Sequence, residues 1–198
     1  MQIAFPIVVS APSGAGKTSI CRRLLRRNRR LTASVSWTTR PPRRGETDGK
    51  HYVFVSAAKF KARAKTNGFL ETATVHGHSY GTPRKAVEDH LKGGRCVLMA
   101  IDVQGGASIM RKIPGTVKIF ILPPSWDVLR QRLVRRRDPA ETVTTRLKNA
   151  RKELARAKEY DYLVVNDRLQ RAVEQVDSII EAESMRSSRC QGLIARFK

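Results

Sequence analysis

The chain has 198 residues, 40% apolar and 28% charged, which suits one large globular domain, or a domain with inserted lobes, and excludes wholesale disorder. Its 39 Lys and Arg against 17 Asp and Glu give a formal net charge of +22, an excess that attracts polyanions. Aromatic residues are only 6%, too few for base-stacking platforms, and the arginine runs fall on expected helix faces or beside loops. Nucleic-acid binding is therefore not expected as the main function. No apolar run reaches the roughly 18 residues of a membrane span, so no membrane partner is expected. The N-terminal MQIAFPIVVSAPSG has no basic leader before its apolar run and reads as a buried strand, not a signal peptide. Three scattered cysteines, Cys21, Cys96 and Cys190, point to a reducing cytosol and a cytoplasmic protein, with Cys96 as a small core residue.

In chain order, IAFPIVVS (3–10) is a short, β-branched apolar run of the kind found in the middle of a parallel sheet. A glycine-containing loop follows, then a helix from about Lys17 to Asn28 with Ile20, Leu24 and Leu25 on one face. Residues 34–90 break the rhythm. SVSWTTRPPRRGETDGKHYVFVS carries Pro41, Pro42, Gly45 and Gly49, and FLETATV (69–75) and HSYGT (78–82) are further short strands. A helix is expected at about 83–92. CVLMAID (96–102), VKIFIL (117–122) and YLVV (162–165) repeat the buried-strand character. Helical patterns lie between and after them, at 104–112, 125–136, 140–159 and 168–185. Strands alternating with helices predict an α/β fold with a central, mostly parallel sheet flanked by helices. The block at 34–83 reads as an inserted lobe in a core formed by 1–33 and 84–198.

SAPSGAGKTS (10–19) fits the phosphate-loop pattern G-x-x-x-x-G-K-[ST], except that Ala11 replaces the first glycine. Gly14 and Gly16 let backbone N–H groups turn toward phosphate oxygens, and the following helix adds its positive end. Lys17 supplies a charge to the β- and γ-phosphates, and the Thr18 hydroxyl suits Mg²⁺. Alanine at position 11 is tolerable if φ there is negative. Asp102, at the end of an apolar strand, is a candidate metal ligand, although a strand-end Asp can equally cap the next turn. Asn166 and Asp167 have the composition of helix N-caps.

SAPSGAGKT, TTRPPRRGE, GFLETATVHGHSYGTP, VLMAIDVQGG, IFILPPS and YLVVND together resemble the guanylate kinases, in that family's order, from residue 5 to about 185. The resemblance implies a P-loop kinase with an ATP-binding core, a small α+β GMP-binding lobe and a basic lid near 134–145. The implied reaction is Mg²⁺-dependent transfer from ATP to GMP or dGMP, giving ADP and GDP or dGDP. It implies contacts to ATP by Ala11, Pro12, Ser13, Gly14, Ala15, Gly16, Lys17, Thr18, Arg132, Arg136 and Asn166. Ser36, Arg40, Arg43, Tyr52 and Tyr80 would hold the GMP phosphate, and Glu71 and Thr82 would read guanine, with Asp102 close by. Lys17, Arg43, Arg136 and Arg146 would carry the catalytic charge.

Two arginines and several hydroxyls suit a dianionic phosphate. A carboxylate such as Glu71 accepts from guanine N1–H and its exocyclic amine, a donor pair adenine lacks. Three departures stand out: Ala11, Ala100 two residues before Asp102, and Arg137, where the family commonly has glycine in a lid that here is one residue shorter. GMP phosphate is already an anionic nucleophile, so no general base is expected, and His51, His76, His78 and His90 need no catalytic role. Two other readings remain, a kinase of the same fold acting on another phosphorylated acceptor and a non-catalytic binding module. TTRPPRRGE with Glu71 and Thr82 argues against the first, and Lys17 with Thr18 against the second.

Overall fold

A computed structural model describes residues 3–43, 45–75, 77–135 and 140–197. In chain order the elements are β1 (Pro6–Ser10), α1 (Lys17–Arg27), β2 (Leu31–Ala33), β3 (Trp37–Thr38), β4 (Val53–Phe54), α2 (Ala57–Lys65), β5 (Phe69–Val75), β6 (His78–Pro83) and α3 (Arg84–Lys92). They continue with β7 (Cys96–Ala100), α4 (Val103–Lys112), β8 (Val117–Leu122), α5 (Trp126–Val134), α6 (Ala140–Ala155), β9 (Tyr162–Val165), α7 (Leu169–Ser184) and the short α8 (Gln191–Ile194).

Five strands form one sheet in the order β2-β7-β1-β8-β9, and every pairing in it is parallel. The central strand β1 is buried along its whole length because both faces are covered. On one face Ile7, Val9, Leu98, Ile119 and Ile121 meet Ile20 and Leu24 of α1 and Val173, Val176 and Ile180 of α7. On the other, Val8, Val97, Met99 and Phe120 meet Val87 of α3 and Val103 and Ile109 of α4. Alternate residues of one strand thus serve two cores, the consequence of a two-residue period. Cys96 is one of these core residues.

The second sheet, β4-β3-β6-β5, joins antiparallel pairs β3·β6 and β5·β6 to a parallel pair β3·β4. Helix α2 packs its single buried residue, Phe60, against Phe69 at 4.7 Å between ring centroids. The main boundaries differ from those read in the sequence at three points, the first being that the strand expected over 3–10 begins only at Pro6. The strand expected over 96–102 stops at Ala100, since Asp102 turns to cap α4. The helix expected over 140–159 ends at Ala155 and passes into a single 3₁₀ turn at Ala157–Glu159.

The basic C-terminal segment is docked on the core. Glu183, only 3% exposed, accepts from Tyr162 Oη at 2.6 Å and from Arg189 Nη2 at 3.1 Å. Arg189 also donates to Gly115 O at 2.8 Å, and its guanidinium lies 4.4 Å from the Phe5 ring centroid. Burial alone would raise the Glu183 pKa, but the hydrogen bonds from Tyr162 and Arg189, with Arg186 nearby, hold it below its usual value.

Candidate active site

The loop joining β1 to α1 has the shape of an anion cradle. Gly14 and Gly16 have φ of 90° and 96°, conformations that residues bearing a Cβ resist. Ala11 is not in that region: Asn67 is the one non-glycine residue with positive φ among the described residues. The missing glycine therefore introduces no backbone strain. Ala15 N–H closes the turn on Pro12 O at 3.1 Å, and Gly16 caps α1, whose first residue is Lys17. The positive end of α1 thus opens onto the loop.

Lys17 turns back across the sheet and donates from Nζ to Ile101 O at 2.8 Å. Burial lowers its pKa, opposed by the charges of Asp102 and Glu153. Cys21, one turn along α1, is buried and its thiol is pushed up to about 12, so it is a neutral core group. Thr18 stands exposed at the second position of the helix.

Asn166 is held differently from a helix cap. The residue capping α7 is Arg168, with no side-chain cap, so neither Asn166 nor Asp167 plays that part. Asn166, 5% exposed, donates from Nδ2 to Ala15 O at 2.7 Å and clamps the phosphate loop from below. The fit leaves no room for a side chain at position 16, where a Cβ would lie 2.2 Å from Asn166 Nδ2. Arg132 on α5 joins the clamp by donating to Asn166 O at 3.0 Å. Arg146 lies half-buried on α6. Arg136 and its neighbour Arg137, like His76, lie outside the described residues.

A second cluster sits on the four-stranded sheet. Arg40, buried, donates from Nε to Tyr80 Oη at 3.2 Å and from Nη1 to Pro41 O at 2.6 Å. Its Nη2 donates to both carboxylate oxygens of Glu46 at 2.9 Å. Tyr52 flanks it, with the guanidinium 5.5 Å from the ring centroid. Glu46 also accepts from Arg43 N–H at 2.7 Å, while the Arg43 side chain is exposed. Burial would raise Glu46, but the Arg43 amide and the Arg40 guanidinium outweigh it and leave its pKa lowered. Ser36 is half-buried at the head of β3, its carbonyl accepting from Val53 N–H at 2.9 Å.

Glu71 on β5 is 4% exposed and accepts from Thr82 Oγ1 on β6 at 2.6 Å. Their strands pair residue 71 directly against residue 82, which sets the two side chains together. Burial raises the pKa of Glu71, countered by the Thr82 bond, while nearby Asp102 pushes it further up. The N-terminus of α4 links the two clusters. Asp102 Oδ1 accepts from Gln104 N–H at 2.7 Å and from Gly105 N–H at 3.0 Å. The other side of Gly105 faces Glu71, so that a Cβ there would come 2.7 Å from Glu71 Oε2.

Two participants were not legible as such in the sequence. Glu46 belongs to TTRPPRRGE, but its pairing with Arg40 depends on how the Pro-rich loop folds back. Glu153 on α6 accepts through Oε2 from Ser13 N–H of the phosphate loop at 3.4 Å, across 140 residues of sequence.

The guanylate kinase family model matches residues 4–183. A guanylate kinase of Thermotoga maritima is 47% identical over 192 residues, covering 96% of this chain and 93% of that protein. A guanylate kinase of Rhizobium meliloti is 49% identical over 189 residues, covering 94% and 86%. The crystal structure of guanylate kinase from Anaplasma phagocytophilum superimposes with a TM-score of 0.82 at 34% identity, covering 96% of this chain and 90% of that one. With a phosphate loop, a buried carboxylate–hydroxyl pair and similarity along nearly its whole length, the chain belongs to the guanylate kinase family.

Proposed function

We propose a division of labour among these residues for the guanylate kinase reaction, in which the γ-phosphoryl group of ATP passes to GMP. The observation that carries it is the Glu71–Thr82 pair, buried and aimed at the N-terminus of α4. The Glu71 carboxylate accepts from the Thr82 hydroxyl. Guanine would exchange partners with both: its N1–H and exocyclic amine would go to Glu71, and the Thr82 hydroxyl would turn to donate to O6. Each polar group then has a partner before and after binding, which keeps the discrimination against adenine large.

Arg40 would hold the GMP phosphate with Arg43, Tyr52, Tyr80 and Ser36. Tyr80 Oη accepts from Arg40, which leaves its own proton to donate to the phosphate. Glu46 holds the Arg40 fork flat and oriented in advance, so less side-chain entropy is lost on binding. On the donor side, the loop amides, Lys17 and the lid arginines, including Arg132 and Arg146, would carry the charge of the triphosphate. No general base is required. Closure of the 34–83 lobe and the lid over the core would align the acceptor and exclude water.

A divalent cation fits the donor set. The Thr18 hydroxyl and the Asp102 carboxylate supply hard oxygens, and Asp102 has one oxygen committed to two amides. Among the described residues no group of three or more His, Cys, Asp or Glu could form an all-protein cage, which suits Mg²⁺ held largely by substrate phosphates and water. When bound, the ion would neutralise developing phosphate charge. Thr18 and Asp102 would orient it. Among the described residues no helix is long and apolar enough to cross a membrane.

The test is a coupled assay of ADP production with GMP, dGMP, AMP and UMP as acceptors. GMP-dependent turnover with rejection of AMP is expected. Turnover with a different acceptor in preference to guanine nucleotides would overturn the assignment of Glu71 and Thr82.

A further inference from the structure

Glu153 presents a carboxylate to a loop built for anions. Its carboxylate accepts from Ser13 N–H at 3.4 Å, one of the amides on which the resemblance places triphosphate. Lys17, the neighbouring cation, donates from Nζ to Ile101 O, and among the described residues it forms no ion pair with Glu153. Burial raises the pKa of Glu153, with Lys17 and the Ser13 amide opposing and Asp102 adding to the rise. The residue stands seven positions after Arg146 on α6, so both occupy the same face of one helix. That face offers the triphosphate one attracting and one repelling charge.

We propose that Glu153 is a specificity-determining residue that makes the phosphate loop select metal-charged triphosphate over metal-free triphosphate. The inference rests on the assignment of this loop to ATP. A metal-free triphosphate carries close to four negative charges and must approach within a few ångströms of the Glu153 carboxylate to reach the Ser13 amide. A bound divalent cation removes two of those charges and with them much of the repulsion. Two like charges about 4 Å apart near a protein surface repel strongly enough to change affinity by tenfold or more before screening. Asp102 adds to the same field, but it holds the cap of α4, whereas among the described residues the Glu153 carboxylate bonds only the Ser13 amide, a task a glutamine could perform.

The experiment measures binding of a non-hydrolysable ATP analogue to the full chain by calorimetry, with saturating Mg²⁺ and with a chelator. Glu153→Gln keeps the size of the side chain and an acceptor for Ser13 N–H. It is expected to tighten metal-free binding by about tenfold while changing metal-loaded binding less than about threefold. Glu153→Asp retains the charge and is expected to retain most of the wild-type preference for the metal-loaded ligand, which a purely structural role would not predict. Metal-free binding that is unchanged or weaker in Glu153→Gln, or a gain of the same size in both conditions, would overturn the proposal. Thermal melting checks that each variant is folded, and Glu153→Ala repeats the test should Glu153→Gln not fold. GMP-dependent turnover by the wild-type chain is measured separately, so a failure of the kinase assignment is distinguishable from a failure of the role of Glu153.

Discussion

Gly105→Ala separates helix stability from guanine recognition at one atom. Gly105 lies in the first turn of α4, and alanine in a helix is ordinarily more stable than glycine by up to about 1 kcal/mol. Here the added Cβ would sit 2.7 Å from Glu71 Oε2 and 3.0 Å from the carboxyl carbon, where ordinary contact begins at 3.4 Å. The shortfall against Oε2, 3.4 less 2.7, is about 0.7 Å. The carboxylate cannot swing to solvent, since it is 4% exposed and its other oxygen holds Thr82 at 2.6 Å. It must rotate off the line along which it would receive guanine. A misplacement near 1 Å at a reacting or recognising group costs on the order of 100-fold, so GMP kcat/KM is expected to fall by roughly 30- to 100-fold, about 2 to 2.7 kcal/mol. The KM for ATP should stay within about threefold, because alanine keeps the N–H that donates to the capping Asp102. A GMP titration in the coupled assay and a melting curve suffice. A GMP kcat/KM within threefold of wild type in a folded Gly105→Ala protein would refute the placement of guanine against Glu71.

Three further outcomes follow from the described contacts. Lys17→Ala should lower turnover at least about 100-fold with a melting temperature near wild type, and wild-type turnover would remove Lys17 from the mechanism. Asn166→Ala leaves the Ala15 carbonyl without its partner, a loss of about 1–3 kcal/mol. Calorimetry should show a melting temperature lower by roughly 2–10 °C together with weaker ATP binding. Arg189→Ala uncovers the buried Glu183. The depressed pKa of that carboxylate means its stabilisation is complete above the ordinary glutamate value of 4.5 and is lost as pH falls through the lower folded value. In Arg189→Ala that depression shrinks, so urea midpoints should be lower at pH 7 and the gap to wild type should narrow as the pH falls below the ordinary glutamate value.

The sheet was legible where strands are buried on both faces. IAFPIVVS, CVLMAID and VKIFIL are continuous apolar runs for that reason, whereas YLVV, expected to be a buried strand, is the sheet edge with Leu163 and Val165 exposed; all four are strands of one parallel sheet. The edge strand β2, LTA, was not read as a strand. It has three residues, follows a run of arginines, and is fixed by pairing with β7 and not by its own pattern. Helix α2 was also not read: AAKFKARAK buries only Phe60, so no apolar stripe marks it. At the site, the phosphate loop could be read because its glycines obey local backbone rules. Asn166 could not be settled, since Asn–Asp before a helix has the composition of a cap, and only a carbonyl 151 residues away shows its actual use. Glu46 and Glu153 carry the same lesson. Charges declare their partners only after the chain has folded.

The clamp between Asn166 and Ala15 also bears on how the protein is made. The phosphate loop is synthesised well before its floor, which comes from Asn166, 151 residues after Ala15 and just beyond β9. The contact between Ser13 and Glu153 spans 140 residues. At about 5–20 residues per second, the nascent loop waits roughly 8–30 s for Asn166 to leave the ribosome. β7 and then β8 pair with β1, and β9 adds last to β8, building the sheet outward from its centre strand on one side only after the other has begun. An N-terminal fragment ending before β9 would therefore lack both the Asn166 clamp on Ala15 O and the α7 residues that cover one face of the sheet.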